Sequence, residues 1–190
     1  MKNKKWIIIG VIALVVVILI SSVAGGYNSL VSAQTGVETA QANIQTQLQR
    51  RADLIPNFVS TVKGYADYEQ KTFTAVTEAR ASVGKASDAA SLNEAQQRLD
   101  GAISLWVNAV TEAYPDLKAN SNFIALQDEL AGTENRIAVA RKDYNETAQK
   151  YNTLVRKFPK NILAGIFGFD AVDYFEADDG ASSVPNVSFE

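Results

Sequence analysis

The chain begins MKNKKWIIIGVIALVVVILISSVA (residues 1–24), in which lysines at positions 2, 4 and 5 precede an apolar run from Trp6 to Ala24. A helix that crosses a bilayer needs about 20 apolar residues, and its backbone polar groups must bond to one another inside the hydrocarbon layer. The run approaches this length and contains no charged side chain. It is therefore predicted to be a transmembrane anchor, whose lipid-facing candidates include Trp6, Ile12, Val17 and Ile20.

Two interpretations of this segment are open, a retained anchor and a cleaved signal peptide. A signal peptide has an apolar core of about 7–15 residues and a small-x-small cleavage site, for which Ser22-Val23-Ala24 is a candidate. The run is longer than such a core, which favours the anchor. Because no Lys or Arg follows the span until Arg50, the positive-inside rule places the amino terminus in the cytoplasm. We expect a single-pass protein of the cytoplasmic (inner) membrane, with its other residues on the periplasmic or extracellular side.

The composition excludes several classes of function. The 190 residues include no Cys and no His, so disulfides, Cys/His zinc sites, Ser-His-Asp triads and the Glu-x-x-His pairs of di-iron bundles are all absent. The formal net charge of -3 provides no basic face for a nucleic acid. We therefore expect no enzyme, no catalytic residues, no cofactor, no metal and no nucleic-acid partner.

The residues after the span have a helical pattern. Apolar side chains recur every three or four positions over residues 27–158, and the only interior prolines are Pro56 and Pro115. Helices are predicted at about 27–49, 53–83, 91–114 and 120–157. Asp53 is expected to cap the second helix, with Pro56 in its first turn. Amphipathic helices joined by short connections bury their apolar faces best as an antiparallel bundle. The predicted fold class is all-α, an N-terminal transmembrane helix followed by a long antiparallel four-helix bundle.

This pattern also predicts the helix junction after the span and the positions of individual side chains. Only Gly25 and Gly26 weaken the junction between the span and the first helix, so both are expected to form one slightly flexible rod. The inward faces are predicted to include Tyr65 and Phe73 of the second helix, Trp106 of the third, and Phe123, Tyr144, Tyr151 and Phe158 of the fourth.

The chain is predicted to have three parts. Residues 1–26 hold the cytoplasmic lysines and the anchor, residues 27–175 the bundle with an apolar segment at 162–175, and residues 176–190 an acidic disordered tail. The stretch from Ile162 to Phe169 is too short to span a bilayer and too apolar to remain in water. It is expected to fold back on the bundle, to lie at a membrane interface or to dock on a neighbouring copy. Its candidate self-association residues are Ile162, Leu163, Ile166, Phe167 and Phe169.

Polar residues cluster at two predicted turns between helices, which lie at the same end of an up-down-up-down bundle. They are Arg50, Arg51, Asp53 and Asn57 at the first turn, and Asp116, Lys118 and Asn120 at the third. One interpretation of this polar loop end is that these side chains cap helices and tie loop to loop. The other is that they bind a protein partner.

Blocks of residues spread over the chain from Trp6 to Phe175 resemble the LemA family. They are RRADLIPN (50–57), VKGY (62–65), EAYPDLKAN (112–120), LQDELAGTENRI (126–137), Ala140-Arg141, the repeated Tyr-Asn at 144–145 and 151–152, Phe158-Pro159 and GIFGF (165–169). The resemblance implies a short membrane anchor followed by a long four-helix bundle, and it supplies no catalytic residues. One branch of that family is similar to contributors to bacterial membrane-organelle formation.

Two functions are consistent with these features. The first is a non-enzymatic membrane-anchored structural protein that contacts membrane lipid, forms homo-oligomers and organises or remodels the bacterial cytoplasmic membrane. The alternative is an envelope scaffold that recruits a protein partner through its polar loop end.

Overall fold

The computed structural model describes residues 2–63 and 70–176, and the side chains of residues 4–62 and 74–176. This part of the chain contains helices and no strand, so the predicted all-α class is confirmed. The helices are α1 (Lys2–Asp53), α2 (Ile55–Lys63), α3 (Gln70–Val83), α4 (Ala89–Ala113), a 3₁₀ helix (Pro115–Ala119), α5 (Ser121–Arg156) and α6 (Lys160–Phe167). The predictions for Tyr65, for the side chain of Phe73 and for the acidic tail after Glu176 lie outside the described residues.

The apolar run and the first predicted helix form one helix. α1 continues without a break through Gly25 and Gly26. Every residue from Lys4 to Gly25 is exposed. By length and composition, this is the one helix in the described part of the chain that is long and apolar enough to cross a membrane.

The first predicted interhelix turn is a single residue, Leu54. Its amide donates to the Arg51 carbonyl at 3.2 Å, and its carbonyl accepts the Phe58 amide at 3.0 Å. Pro56 explains the break, because its nitrogen has no hydrogen for the Ala52 carbonyl and its ring crowds that carbonyl. The polar residues predicted for a loop therefore flank a short interruption between two helices.

The sequence predicted that Asp53 caps the second helix, but the structure shows no such cap. Asp53 is the last residue of α1, and its carboxylate accepts hydrogen bonds from Gln49 at 3.0 Å and Arg80 at 3.1 Å. A cap does form at Asp88, whose carboxylate accepts the Ser91 amide at 2.7 Å. This hydrogen bond lowers the pKa of Asp88. The third predicted helix consequently begins two residues earlier than expected, at Ala89.

The described residues pack as two units. The first holds those within Met1–Asn43 and Lys142–Val172, and the second holds those within Ile44–Arg141 and Asp173–Glu190. α1 and α5 contribute residues to both units.

The core of the second unit is built around the ring of Phe58. This ring lies edge-to-face against Trp106 of α4 and against Phe123 of α5, with centroids 5.2 Å apart in each pair. Trp106 is only 6% exposed, which confirms its predicted place in the core. Further buried side chains of this unit are Ile44, Leu48, Val76, Val83, Leu92, Leu99, Leu117 and Ile137.

Pairs of contacting residues give the directions of the helices in the second unit. Arg51 donates to the Leu130 carbonyl and Phe58 contacts Phe123, so α5 runs opposite to α1 and α2. α3 and α4 pack together across the short connection 84–88 and are antiparallel as well. The sequence predicted a second helix (53–83) that runs opposite to the first and parallel to the fourth. Its first part, α2, instead runs opposite to α5 and continues in the direction of α1, because Pro56 interrupts the helix without reversing the chain.

In the first unit, α5 runs antiparallel to α1. A Cβ atom on Gly36 would lie 3.5 Å from Thr147 Cγ2, so the two helices are in contact there. Tyr144 and Tyr151 are buried, as predicted. Phe158 was predicted to face inward, but it is 76% exposed. α5 ends at Arg156, so Phe158 lies beyond the helix and no longer follows its apolar stripe.

Candidate functional site

The apolar C-terminal segment forms a short helix with a defined end. α6 stops at Gly168, whose φ of 75° lies in the left-handed region that glycine adopts without strain. The Gly168 amide donates to the Ala164 carbonyl, which also accepts the Phe169 amide at 3.0 Å. This turn ends α6 between Phe167 and Phe169.

α6 packs on α1 immediately after the apolar run. The side chain of Leu163 occupies the space next to Gly26, where a Cβ atom would lie 2.5 Å from Leu163 Cδ1. The Tyr27 ring lies edge-to-face with Phe167 and Phe169, at centroid distances of 4.9 Å and 5.7 Å. We call these five residues the span-end cluster. They attach the C-terminal segment to the residues that directly follow the predicted span.

Two hydrogen-bonded contacts hold α6 and the residues after it in place. The Lys160 ammonium donates to the Ser29 hydroxyl at 2.7 Å. The side-chain amide of Asn152 donates to the Val172 carbonyl at 2.8 Å, and its oxygen accepts the Val172 amide at 2.9 Å. Asn152 thereby joins α5 to the non-helical segment that follows α6. Next to it, burial raises the pKa of the Tyr151 hydroxyl.

The five candidate self-association residues have two environments. Leu163 and Phe169 are half-buried within the span-end cluster, so the segment folds back on its own chain through them. Ile162, Ile166 and Phe167 are exposed at 52%, 69% and 49%, and Phe167 also contacts Tyr27 within the span-end cluster. Self-association through these residues remains a prediction.

Arg51 of the predicted polar loop end is an interior residue, only 4% exposed. Its Nε atom lies 2.8 Å from Asp100 Oδ1 on α4. Its Nη1 atom donates to the Leu130 carbonyl at 2.7 Å and to the Thr133 hydroxyl at 3.3 Å, both on α5. Burial raises the pKa of Asp100 despite the opposing attraction of Arg51. The arginine thus ties α1 to two other helices, and no sequence pattern had indicated its partners.

A second ion-pair cluster of the polar loop end lies nearer the surface. Arg50 Nη2 is 2.9 Å from Glu129 Oε1, which also accepts from Arg136 at 2.8 Å. The hydrogen bonds from Arg136 and Arg50 lower the pKa of Glu129. Arg50 therefore pairs with an acidic residue of α5.

The remaining residues of the polar loop end have local roles or lie exposed. The side-chain oxygen of Asn120 accepts the amides of Asn122 and Phe123 at 3.0 Å and 3.1 Å, and so caps α5. Asn57, Asp116 and Lys118 are exposed. Within the described ranges, no group of three or more acidic residues is placed to hold a metal ion.

Comparison with known proteins agrees with the resemblance of the sequence blocks. The model of the LemA family matches residues 40–189. Magnetosome protein MamQ 2 of Paramagnetospirillum magneticum is 26% identical over 186 residues, covering 85% of this chain and 68% of the relative. Magnetosome protein MamQ of Magnetospirillum gryphiswaldense is 24% identical, covering 92% and 73%. Protein LemA of Metamycoplasma hominis is 26% identical, covering 82% and 71%.

Proposed function

This chain belongs to the LemA family and is membrane-associated, and on this premise we propose that it is a structural protein that self-associates on the bacterial cytoplasmic membrane and organises or remodels it. The proposed role requires no chemistry. Three of its relatives are named magnetosome proteins, and this likeness supports the proposed role at membranes.

The observation that carries this proposal is the continuity of α1. The helix runs from Lys2 to Asp53, and its apolar part is exposed over its whole length. Exposed apolar side chains over such a length are stable in lipid and not in water. An unbroken helix fixes the residues after the span in one orientation relative to the membrane, and this holds for every copy. Confinement to one plane raises the effective concentration, so weak lateral contacts are sufficient for assembly.

We expect the full-length protein to form large homo-oligomers in mild detergent and in large nanodiscs. A fragment that starts at Tyr27 should be largely monomeric at the same concentration, because it lacks the span that confines the copies. Light scattering of both proteins measures their masses, and electron microscopy of proteoliposomes shows whether membranes carrying the full chain change shape. A full-length protein that stays monomeric in both detergent and nanodiscs would remove the basis of the structural proposal.

The lysines before the span predict that the residues after it lie outside the cytoplasm. The chain has no native cysteine, so a single cysteine reports on one position. Ser87→Cys should react with a membrane-impermeant thiol reagent in intact spheroplasts, as should Ser183→Cys in the tail. Asn3→Cys, the matched control, should react only after lysis. The reverse pattern would show that the packed units are cytoplasmic.

Recruitment of an envelope partner through the polar loop end is the weaker proposal. Arg50, Arg51, Asp53 and Asn120 all bind groups of the same chain. Such contacts within the protein match the first interpretation of these residues, in which they cap helices and join elements.

A further inference from the structure

α6 carries apolar side chains on both of its sides. Its inner side is formed by Lys160, Leu163, Ala164 and Phe167, spaced as one helical face, and it packs on α1. On its outer side Ile162 and Ile166, one turn apart, are both exposed. A helix that borders water normally carries charged residues on its outer side. The only charged residue of α6 is Lys160, which is engaged with Ser29.

The position of α6 along α1 can be compared with the thickness of a bilayer. Trp6 and Tyr27, aromatic residues of the kind found at both membrane surfaces, are 21 residues apart, or about 32 Å along a helix. This length matches a hydrocarbon core of about 30 Å. α6 contacts α1 between Gly26 and Ser29. Measured along the helix axis, these two residues lie about 3 Å and about 8 Å beyond Ala24. They therefore lie at the depth of the lipid headgroups, a layer of about 5–7 Å on each side.

Contacts with α1 extend along the whole of α6. Lys160 at its start contacts Ser29, Leu163 in its middle contacts Gly26, and Phe167 at its end contacts Tyr27. Since these α1 residues directly follow the span, α6 lies at the level where the span leaves the membrane.

The charges around α6 suit an anionic lipid surface. Arg156 and Lys157 lie four and three residues before the start of the helix and are exposed. The helix itself contains no acidic residue, and Asp170 follows it. Basic residues beside an apolar helix face are typical of interfacial helices on anionic membranes.

We propose that α6 is an interfacial helix, whose outer side lies in the headgroup layer of the bilayer that the span crosses. Ile162 and Ile166 contact the upper acyl chains, and Arg156 and Lys157 contact anionic lipid phosphates. The exposed apolar area is then covered by lipid rather than by a neighbouring copy. The proposal goes beyond self-association, since it requires only that the span crosses the bilayer.

The test uses the full-length protein in nanodiscs small enough to hold one copy, made from phosphatidylglycerol and phosphatidylcholine. Ile166→Cys carries a bimane label, and lipids with a nitroxide at the upper acyl chain serve as the quencher. We expect strong quenching of this label and weak quenching by aqueous iodide. Ile20→Cys, within the span, is the lipid-exposed control. Thr39→Cys, 12 residues beyond Tyr27 on the same helix and exposed, is the control for water, and the two quenchers should reverse their effects on it.

The outcomes distinguish whether lipid, water or a neighbouring copy contacts the outer side of α6. Quenching by lipid nitroxides in one-copy discs supports the interfacial helix whether or not the protein assembles. A label on Ile166→Cys that iodide reaches as well as it reaches Thr39→Cys would overturn the proposal. Protection from iodide that appears only in discs with several copies would assign the surface to self-association instead. In discs of phosphatidylcholine alone we expect nitroxide quenching to fall by about half, and unchanged quenching would refute the role given to Arg156 and Lys157.

Discussion

Replacing Trp106 by alanine is expected to lower the free energy of unfolding by about 3–5 kcal/mol. The Trp106 side chain is 6% exposed, and its ring packs edge-to-face on Phe58 at a centroid distance of 5.2 Å. Phe58 in turn contacts Phe123 at 5.2 Å, so the loss of the indole leaves a cavity where α2, α4 and α5 meet. Removal of a large buried side chain costs its transfer free energy and the additional cost of the cavity.

The neighbouring residue provides the matched control. Leu105 lies on the same helix and is 70% exposed, so Leu105→Ala should change the stability by no more than about 0.5 kcal/mol. Urea unfolding of the full-length protein in detergent, followed by circular dichroism at the helical band, measures both variants without relying on tryptophan fluorescence. Equal midpoints for Trp106→Ala and the wild type would show that the core around Phe58 is wrongly placed.

Replacing Arg51 by methionine should cost about 3 kcal/mol, the lower end of the range for breaking a buried ion pair by removing one partner, because Arg51 is buried but Asp100 is partly exposed. The variant keeps much of the side-chain volume, but it leaves Asp100 without the guanidinium that lies 2.8 Å away. It also removes the donor to the Leu130 carbonyl and the Thr133 hydroxyl. Arg50→Met is the control, because Arg50 pairs with Glu129 at the surface, where an ion pair contributes about 1 kcal/mol or less.

The cost of Arg51→Met should depend on pH in a defined direction. Burial already raises the pKa of Asp100, and loss of the arginine removes the attraction that opposes this shift. A carboxyl group whose folded pKa exceeds its unfolded pKa stabilises the fold fully below the unfolded pKa, and this stabilisation is lost as pH rises through the folded pKa. The difference between the variant and the wild type should therefore shrink from pH 7 towards pH 4. The double variant Arg51→Met/Asp100→Asn should regain part of the stability at pH 7. Equal costs for Arg51→Met and Arg50→Met would contradict the buried network.

The helices were predictable because their signals are local. Apolar spacing of three and four residues identified the segments that became α4 and α5, and the uncharged run of residues 6–24 identified the exposed part of α1. The break before α2 follows from Pro56, which cannot donate a helical hydrogen bond. The absence of Cys and His excluded whole classes of sites without any knowledge of the fold.

The candidate site depended on contacts between residues distant in sequence. Lys160 and Ser29 are 131 positions apart, and Arg51 and Leu130 are 79 apart, so no local pattern indicated either pair. The helices around the adjacent pair Arg50 and Arg51 likewise decided which of the two is buried. Arg51 is buried because its side chain extends between α4 and α5. The sequence by itself determined the apolar run, the helical segments and the absence of sites that need Cys or His, since these depend on residue type and spacing along the chain. The tertiary structure alone placed α6 at the end of the span, because that arrangement depends on which surfaces meet when α5 returns along α1.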